Sequence, residues 1–179
     1  MRYYITEGRE KFNLPERLMN KLNKGFTLIE LVVVISIIAI LAATALPRYI
    51  SLQTQARTAK AQALLGSIRS ASALARANCS VDLAISAAPT CTATAGTTNM
   101  DGAAVDMVNQ YPAATANGII QAAQLNAASD AVTISGTGPI VVTVNGATTP
   151  ASCAISYTAA TTNASGIVAP VIVGTTSGC

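Results

Sequence analysis

Hydrophobic and polar residues follow three successive patterns along this chain, and each predicts a different kind of element. From Phe26 to Leu46 only Thr27, Glu30, Ser36 and Thr44 are polar among 21 residues. As a helix rising about 1.5 Å per residue this run measures roughly 31 Å, enough to span a bilayer. From Arg48 to Ala77 there is no proline and a single glycine, Gly66, while Ala61, Leu64, Leu65, Ile68, Ala71 and Ala75 recur at three- and four-residue spacing. That spacing is the apolar stripe of an amphipathic helix. Gln62, Arg69 and Arg76, seven apart, occupy a different face. Pro47 lies between the two halves; it removes the hydrogen bond to the Ala43 carbonyl and is expected to kink the helix without ending it. One helix is therefore expected over residues 26–77, about 78 Å long.

Beyond the helix the pattern changes. Asn78 to Gly102 is rich in Ala, Thr and Ser and reads as a loop, and Asn117 is placed to cap a short helix from Gly118 to Leu125. Alternating or β-branched runs come next, at Ala131–Ser135, Ile140–Asn145, Ala154–Thr158 and Ile167–Val173. Gly136-Thr137-Gly138-Pro139 and Asn145-Gly146 between them are turn signals. The expected fold class is α+β, a long N-terminal helix packed against an antiparallel sheet of about four strands.

Charge gives this architecture a direction. Residues 1–25 carry six basic side chains (Arg2, Arg9, Lys11, Arg17, Lys21, Lys24) against three acidic ones (Glu7, Glu10, Glu16), which accounts for the whole formal charge of +3. Basic residues ahead of an apolar span keep the N-terminus in the cytoplasm and send the C-terminal part of the chain across the membrane. Residues 1–25, interrupted by Pro15, thus read as a cytoplasmic leader, 26–46 as the membrane-spanning half of the helix, and 78–179 as an extracytoplasmic head that includes the helix's second half. Glu30 is the one ionisable residue of the span. A carboxylate facing lipid costs at least a few kcal/mol, which makes it a candidate functional residue.

Cys79, Cys91, Cys153 and Cys179 all lie beyond the span, in a compartment where disulfides persist. Four cysteines allow three connectivities. Cys79 with Cys91 and Cys153 with Cys179 is the favoured set, since the first pair shares a loop and the second ties down the end of the chain. A closed loop of the second kind contributes about 3 kcal/mol on the chain-entropy model.

The stretch Lys24-Gly25-Phe26-Thr27-Leu28-Ile29-Glu30-Leu31-Val32-Val33-Val34-Ile35 resembles the processing and assembly motif of type IV pilins and of the pseudopilins of type II secretion. The resemblance implies that a prepilin peptidase cuts after Gly25 and methylates the new N-terminus, Phe26. It also implies that Glu30 pairs with the amine of Phe26 on a neighbouring subunit. Glycine suits such a cleavage site because it lets a protease approach the backbone closely. The partners so implied are other pilin subunits in a homopolymeric filament, prepilin peptidase and the pilus assembly platform of the inner membrane. The subunit would lie in the inner membrane before assembly and in a cell-surface pilus afterwards.

Leaders in the subclass whose mature chain begins with phenylalanine are short, and a start at Met19 would give one that keeps Lys21 and Lys24. Finding residues 1–18 in the uncleaved precursor would exclude that start. Pro47 to Gln53, Ala56-Arg57, Gly66 to Ala71, Tyr111 to Ile119, Cys153 to Thr158 and Thr176 to Cys179 are similar to the mannose-sensitive haemagglutinin group of these pilins. Ala39 departs from the family, many members of which have glycine there and a locally unwound helix between that position and the proline. Alanine favours helix by about 1 kcal/mol over glycine, which counts against unwinding here.

Other chemistry finds little support in the residues. Without histidine there is no Ser-His-Asp or Cys-His site. Asp82, Asp101, Asp106 and Asp130 lack EF-hand spacing, and Asp101-Gly102 and Asp106 read as turn and cap residues. Tyr49, Tyr111 and Tyr157 read as core residues before sugar-stacking ones. No phosphate-binding glycine pattern and no basic run beyond the leader point to nucleotides or nucleic acid. The expectation is a structural subunit, not an enzyme, with no cofactor or metal. The alternatives are a pseudopilin of a secretion or DNA-uptake system and, in another class, a monotopic membrane-anchored binding protein or enzyme. A head that binds carbohydrate directly is a third, for which the residues offer no constellation.

Overall fold

In the computed structural model the described residues are 25–86 and 90–179. The leader, its charges and the start at Met19 lie outside them. One helix, α1, runs from Leu28 to Ile85 and carries Pro47 within it. It is unbroken at Ala39. The chain divides into two compact units, the first ending at Ala45 and the second spanning Leu46–Cys179.

In the second unit Ala61, Leu64, Ile68, Ala71, Ser72, Ala75 and Cys79 form the buried face of α1, the three- and four-residue spacing that puts side chains on one side of a helix. Gln62, Arg69 and Arg76 are exposed. The helix does not stop at Ala77 as expected but continues to Ile85. The reason is that Cys79, fully buried, extends the same stripe by one more turn.

Among the described residues nine strands come after the helix. The first, β1 (Ala95–Met100), pairs antiparallel with β2 (Ala103–Val108), which pairs with the two-residue β3 (Tyr111–Pro112). A hairpin thus occupies part of the stretch expected to be a loop, and Asp106 belongs to β2 instead of a turn or cap. Strand β1 is hard to see because Ala-Gly-Thr-Thr-Asn-Met has no apolar alternation; its one buried residue is Thr98. Its turn is better marked, since Asp101 and Gly102 both have positive φ (50° and 80°), the geometry that Asp-Gly supplies in a tight hairpin.

A four-stranded antiparallel sheet in the order β4-β5-β6-β9 makes the second layer, from β4 (Val132–Ser135), β5 (Ile140–Val144), β6 (Ala154–Thr158) and β9 (Val171–Thr175). Three of these fall within a residue of the expected strands. The expected fourth, Ile167–Val173, is two: β7 (Thr161–Asn163) forms a hairpin with β8 (Gly166–Val168), and β9 starts anew after Pro170. Proline has no N–H to give to a ladder, so the run breaks there.

The short helix also starts earlier than expected. A helical turn spans Ala116–Ile120, and Thr115, not Asn117, caps it: Thr115 Oγ1 accepts from Gly118 N at 3.1 Å. Gly118 sits at φ −93° and ψ −108°, where a Cβ would come within 2.1 Å of the Ala113 carbonyl oxygen, so only glycine fits.

Two clusters make the core. Ala61, Leu64 and Ile68 of α1 pack with Ile119, Val132, Ile140, Val142, Val144, Ile155 and Tyr157. Ala71, Ala75 and Cys79 pack with Cys91, Val105, Met107 and Ala122, their small side chains letting the β1–β2 hairpin approach. The structure pairs Cys79 with Cys91 and Cys153 with Cys179, at Cα separations of 5.4 and 4.8 Å. Tyr111 and Tyr157 are core residues, but Tyr49 is 61% exposed, a correction to the expectation for it. It precedes the buried stripe, which begins at Ala61.

The Tyr157 hydroxyl donates to the Pro112 carbonyl at 2.7 Å, tying β6 to β3. Burial pushes its pKa up to about 12, against about 10 for a free tyrosine. The native state keeps this proton where the unfolded chain has lost it. The associated stability is therefore complete below about pH 10 and is lost as pH rises through the folded value. In urea unfolding of the full chain, stability should fall more steeply towards alkaline pH for the unaltered protein than for Tyr157→Phe. Parallel declines would show that Tyr157 does not carry the effect.

Candidate assembly and processing segment

The start of α1 is built from four residues. Thr27 Oγ1 accepts from Glu30 N at 3.2 Å, and the Thr27 carbonyl accepts from Leu31 N at 3.2 Å. Thr27 is thus the N-cap and Glu30 the third residue of the helix, the spacing of a capping box. That signal, Thr-x-x-Glu, was legible in the sequence but is masked by the apolar run around it. It gives Glu30 a local role: its carboxylate lies in the first turn, where the helix dipole favours negative charge.

The remaining polar groups of the span are dealt with inside the helix. Ser36 Oγ donates to the Val32 carbonyl at 2.7 Å and Thr44 Oγ1 to the Leu41 carbonyl at 2.9 Å. Hydroxyls bonded in this way can face an apolar medium at little cost. Every residue from Phe26 to Leu46 is exposed, Phe26 and Leu28 each at 81%. The helix is long and apolar enough here to cross a membrane. Glu30 is left as the one charge on a surface of Ile, Leu and Val side chains that nothing among the described residues covers.

Gly25 precedes the helix, exposed, and a Cβ built on it meets nothing within 4 Å. The fold itself therefore does not require glycine at this position. Phe26 stands next to it outside the helix. Gly25, Phe26 and Glu30 are brought together only by sequence, in one short exposed stretch. Pro47 lies farther along α1, and the four cysteines lie in the second unit. The head's carboxylates have structural tasks: Asp82 accepts from Cys91 N (2.9 Å) and Asp130 from Asn126 N (2.8 Å).

A family model for the prokaryotic N-terminal methylation motif matches residues 20–46. Among curated proteins, the type IV narrow pilus major component PilA5 of Thermus thermophilus is 54% identical over 52 residues, which are 29% of this chain and 45% of that protein. The type IV major pilin protein PilE1 of Neisseria gonorrhoeae is 61% identical over 44 residues, 25% of this chain and 24% of its own length. The type IV major pilin protein PilA of Myxococcus xanthus is 44% identical over 52 residues, 29% of this chain and 24% of its own. The chain thus matches less than half the length of each of these relatives. No solved structure matches it. The methylation motif coincides with the capped, uncovered start of α1, and it is over this N-terminal segment that the chain is similar to type IV pilins.

Proposed function

We propose that this chain is the structural subunit of a type IV pilus. It would be held in the inner membrane with its head in the periplasm, cleaved after Gly25 and methylated on Phe26 by a prepilin peptidase, and assembled on an inner-membrane platform into a homopolymeric surface filament. The observation that carries the reading is the surface of residues 26–46: wholly exposed, its hydroxyls satisfied internally, and bearing a single carboxylate. Lipid can cover such a helix, but only at the cost of burying Glu30. Helices of neighbouring subunits can cover it and bring an amine to Glu30 as well. In that low-dielectric setting the pair fixes register as much as it adds affinity.

The role is structural and not enzymatic, and the filament would serve attachment or motility. The stretches Tyr111 to Ile119 and Cys153 to Thr158 support placing it in the mannose-sensitive haemagglutinin group. Shearing surface filaments from cells and sequencing the major subunit from its N-terminus tests the reading. The expected result is N-methylated Phe26. Filaments that lack this chain, or a chain that keeps its leader and stays in the membrane, would overturn it.

A further inference from the structure

The second unit carries no charged side chain beyond Asp130: residues 131–179 contain none. The basic residues of this unit, Arg48, Arg57, Lys60, Arg69 and Arg76, all lie on α1, as does Asp82 near its end, while Asp101, Asp106 and Asp130 lie beyond it. Among the described residues no Lys or Arg comes within 4.0 Å of an acidic side chain. Acidic and basic side chains are therefore not paired with one another within one copy.

Two exposed charges, Arg69 and Asp101, fall on opposite flanks of the helix. On one flank Leu65 reaches β9, where a Cβ on Gly174 would meet Leu65 Cδ2 at 3.0 Å. Arg69, one turn on, shares that flank and is exposed. Beside it β9 is the open edge of the four-stranded sheet, with Val171 56% and Val173 50% exposed. Natural edge strands are usually blunted by charge, and this one has none of its own.

On the other flank Lys60, Ser67 and Leu74, seven apart, line two adjoining grooves of about 510 and 270 Å³ that share Ser67, Ala123 and Gln124. Asp130 lines one and Asp101 the other. This flank lies by β4, the opposite edge of the same sheet: Lys60 Nζ donates to the Ala131 carbonyl at 3.2 Å, next to the start of β4. Asp101 is exposed and accepts from Gln124 Nε2 at 2.6 Å.

We propose that these flanks are complementary surfaces by which heads of this chain meet. The β9 edge with Arg69 of one copy docks on the groove flank with Asp101 of a second copy. An apolar edge beside Arg69 and a groove that carries Asp101, at opposite sides of one sheet, form a head-to-tail contact, which repeats without closing and so extends a filament. The apolar edge supplies area, and the charges set register and exclude the inverted approach. The inference rests on the filament reading and names where its heads touch.

Charge reversal tests it in filaments sheared from cells. Arg69→Glu and Asp101→Lys, each at an exposed position, should singly cut filament recovery several-fold, and the two together should restore it. A photo-crosslinking residue at Val173 should join a second copy within residues 98–130. Single reversals without effect, a double variant that does not recover while its membrane-held monomer is at the normal level, or crosslinks only to other segments would overturn the contact. Absence of filaments from cells making the unaltered chain would instead overturn the filament reading, and is seen before any variant is made.

Discussion

Glu30→Ala is expected to leave the monomer inserted and folded while filaments are lost. The backbone bond that starts α1, from Glu30 N to Thr27 Oγ1, does not use the Glu30 side chain and survives the change. The carboxylate's local contribution is about 0.3–1 kcal/mol of dipole interaction, and alanine's better helix propensity offsets much of that. In lipid the variant is relieved of a charge costing a few kcal/mol, so membrane-held monomer should not fall. In the filament the change strands a buried amine, and breaking a buried pair costs about 3–5 kcal/mol per subunit. That is more than a hundredfold in each addition step. Immunoblots of sheared and membrane fractions separate the two pools, and normal piliation would defeat the assembly role.

Gly25→Val should block processing as completely. A Cβ at residue 25 meets nothing among the described residues, so neither helix nor head is disturbed. Any demand for glycine must come from the cleft of a protease that needs the bare backbone. The variant should accumulate as the heavier precursor, and N-terminal sequencing of the membrane fraction should find no chain beginning at Phe26. Normal cleavage would place the processing site elsewhere.

How much of the fold was readable beforehand depended on how each element is held in place. The apolar span is marked by its unbroken run, and the three strands β4, β5 and β6 carry their burial in their own periodicity, so pattern alone finds them. The β1–β2 hairpin does not. It is held by its neighbours, Ala71, Ala75 and the Cys79–Cys91 bond, and the residues of β1 are mostly Thr, Asn and Ala. The helix end was missed for the same reason, because Cys79 reads as a loop cysteine until its burial is known. In the candidate segment Gly25, Phe26 and Glu30 were legible as a motif, whereas the cap at Thr27 was hidden among apolar neighbours. Arg69 and Asp101 were present in the sequence, but they acquire a direction only once β4 and β9 are known to be opposite edges.

The two disulfides have a mechanical consequence. In the proposed filament each subunit would carry load through its helix, and a head that unravels under tension would lengthen the fibre and fail. Cys79–Cys91 fastens the last turns of α1 to the residues just ahead of β1, and Cys153–Cys179 spans β6 to β9 across 26 positions. Strand β9 cannot peel from β6 and trail away, because the bond beyond Thr175 returns the chain to Cys153. Length enclosed by either covalent loop is hidden from a pulling force, so beyond α1 an overstretched head can release only the chain between the two loops.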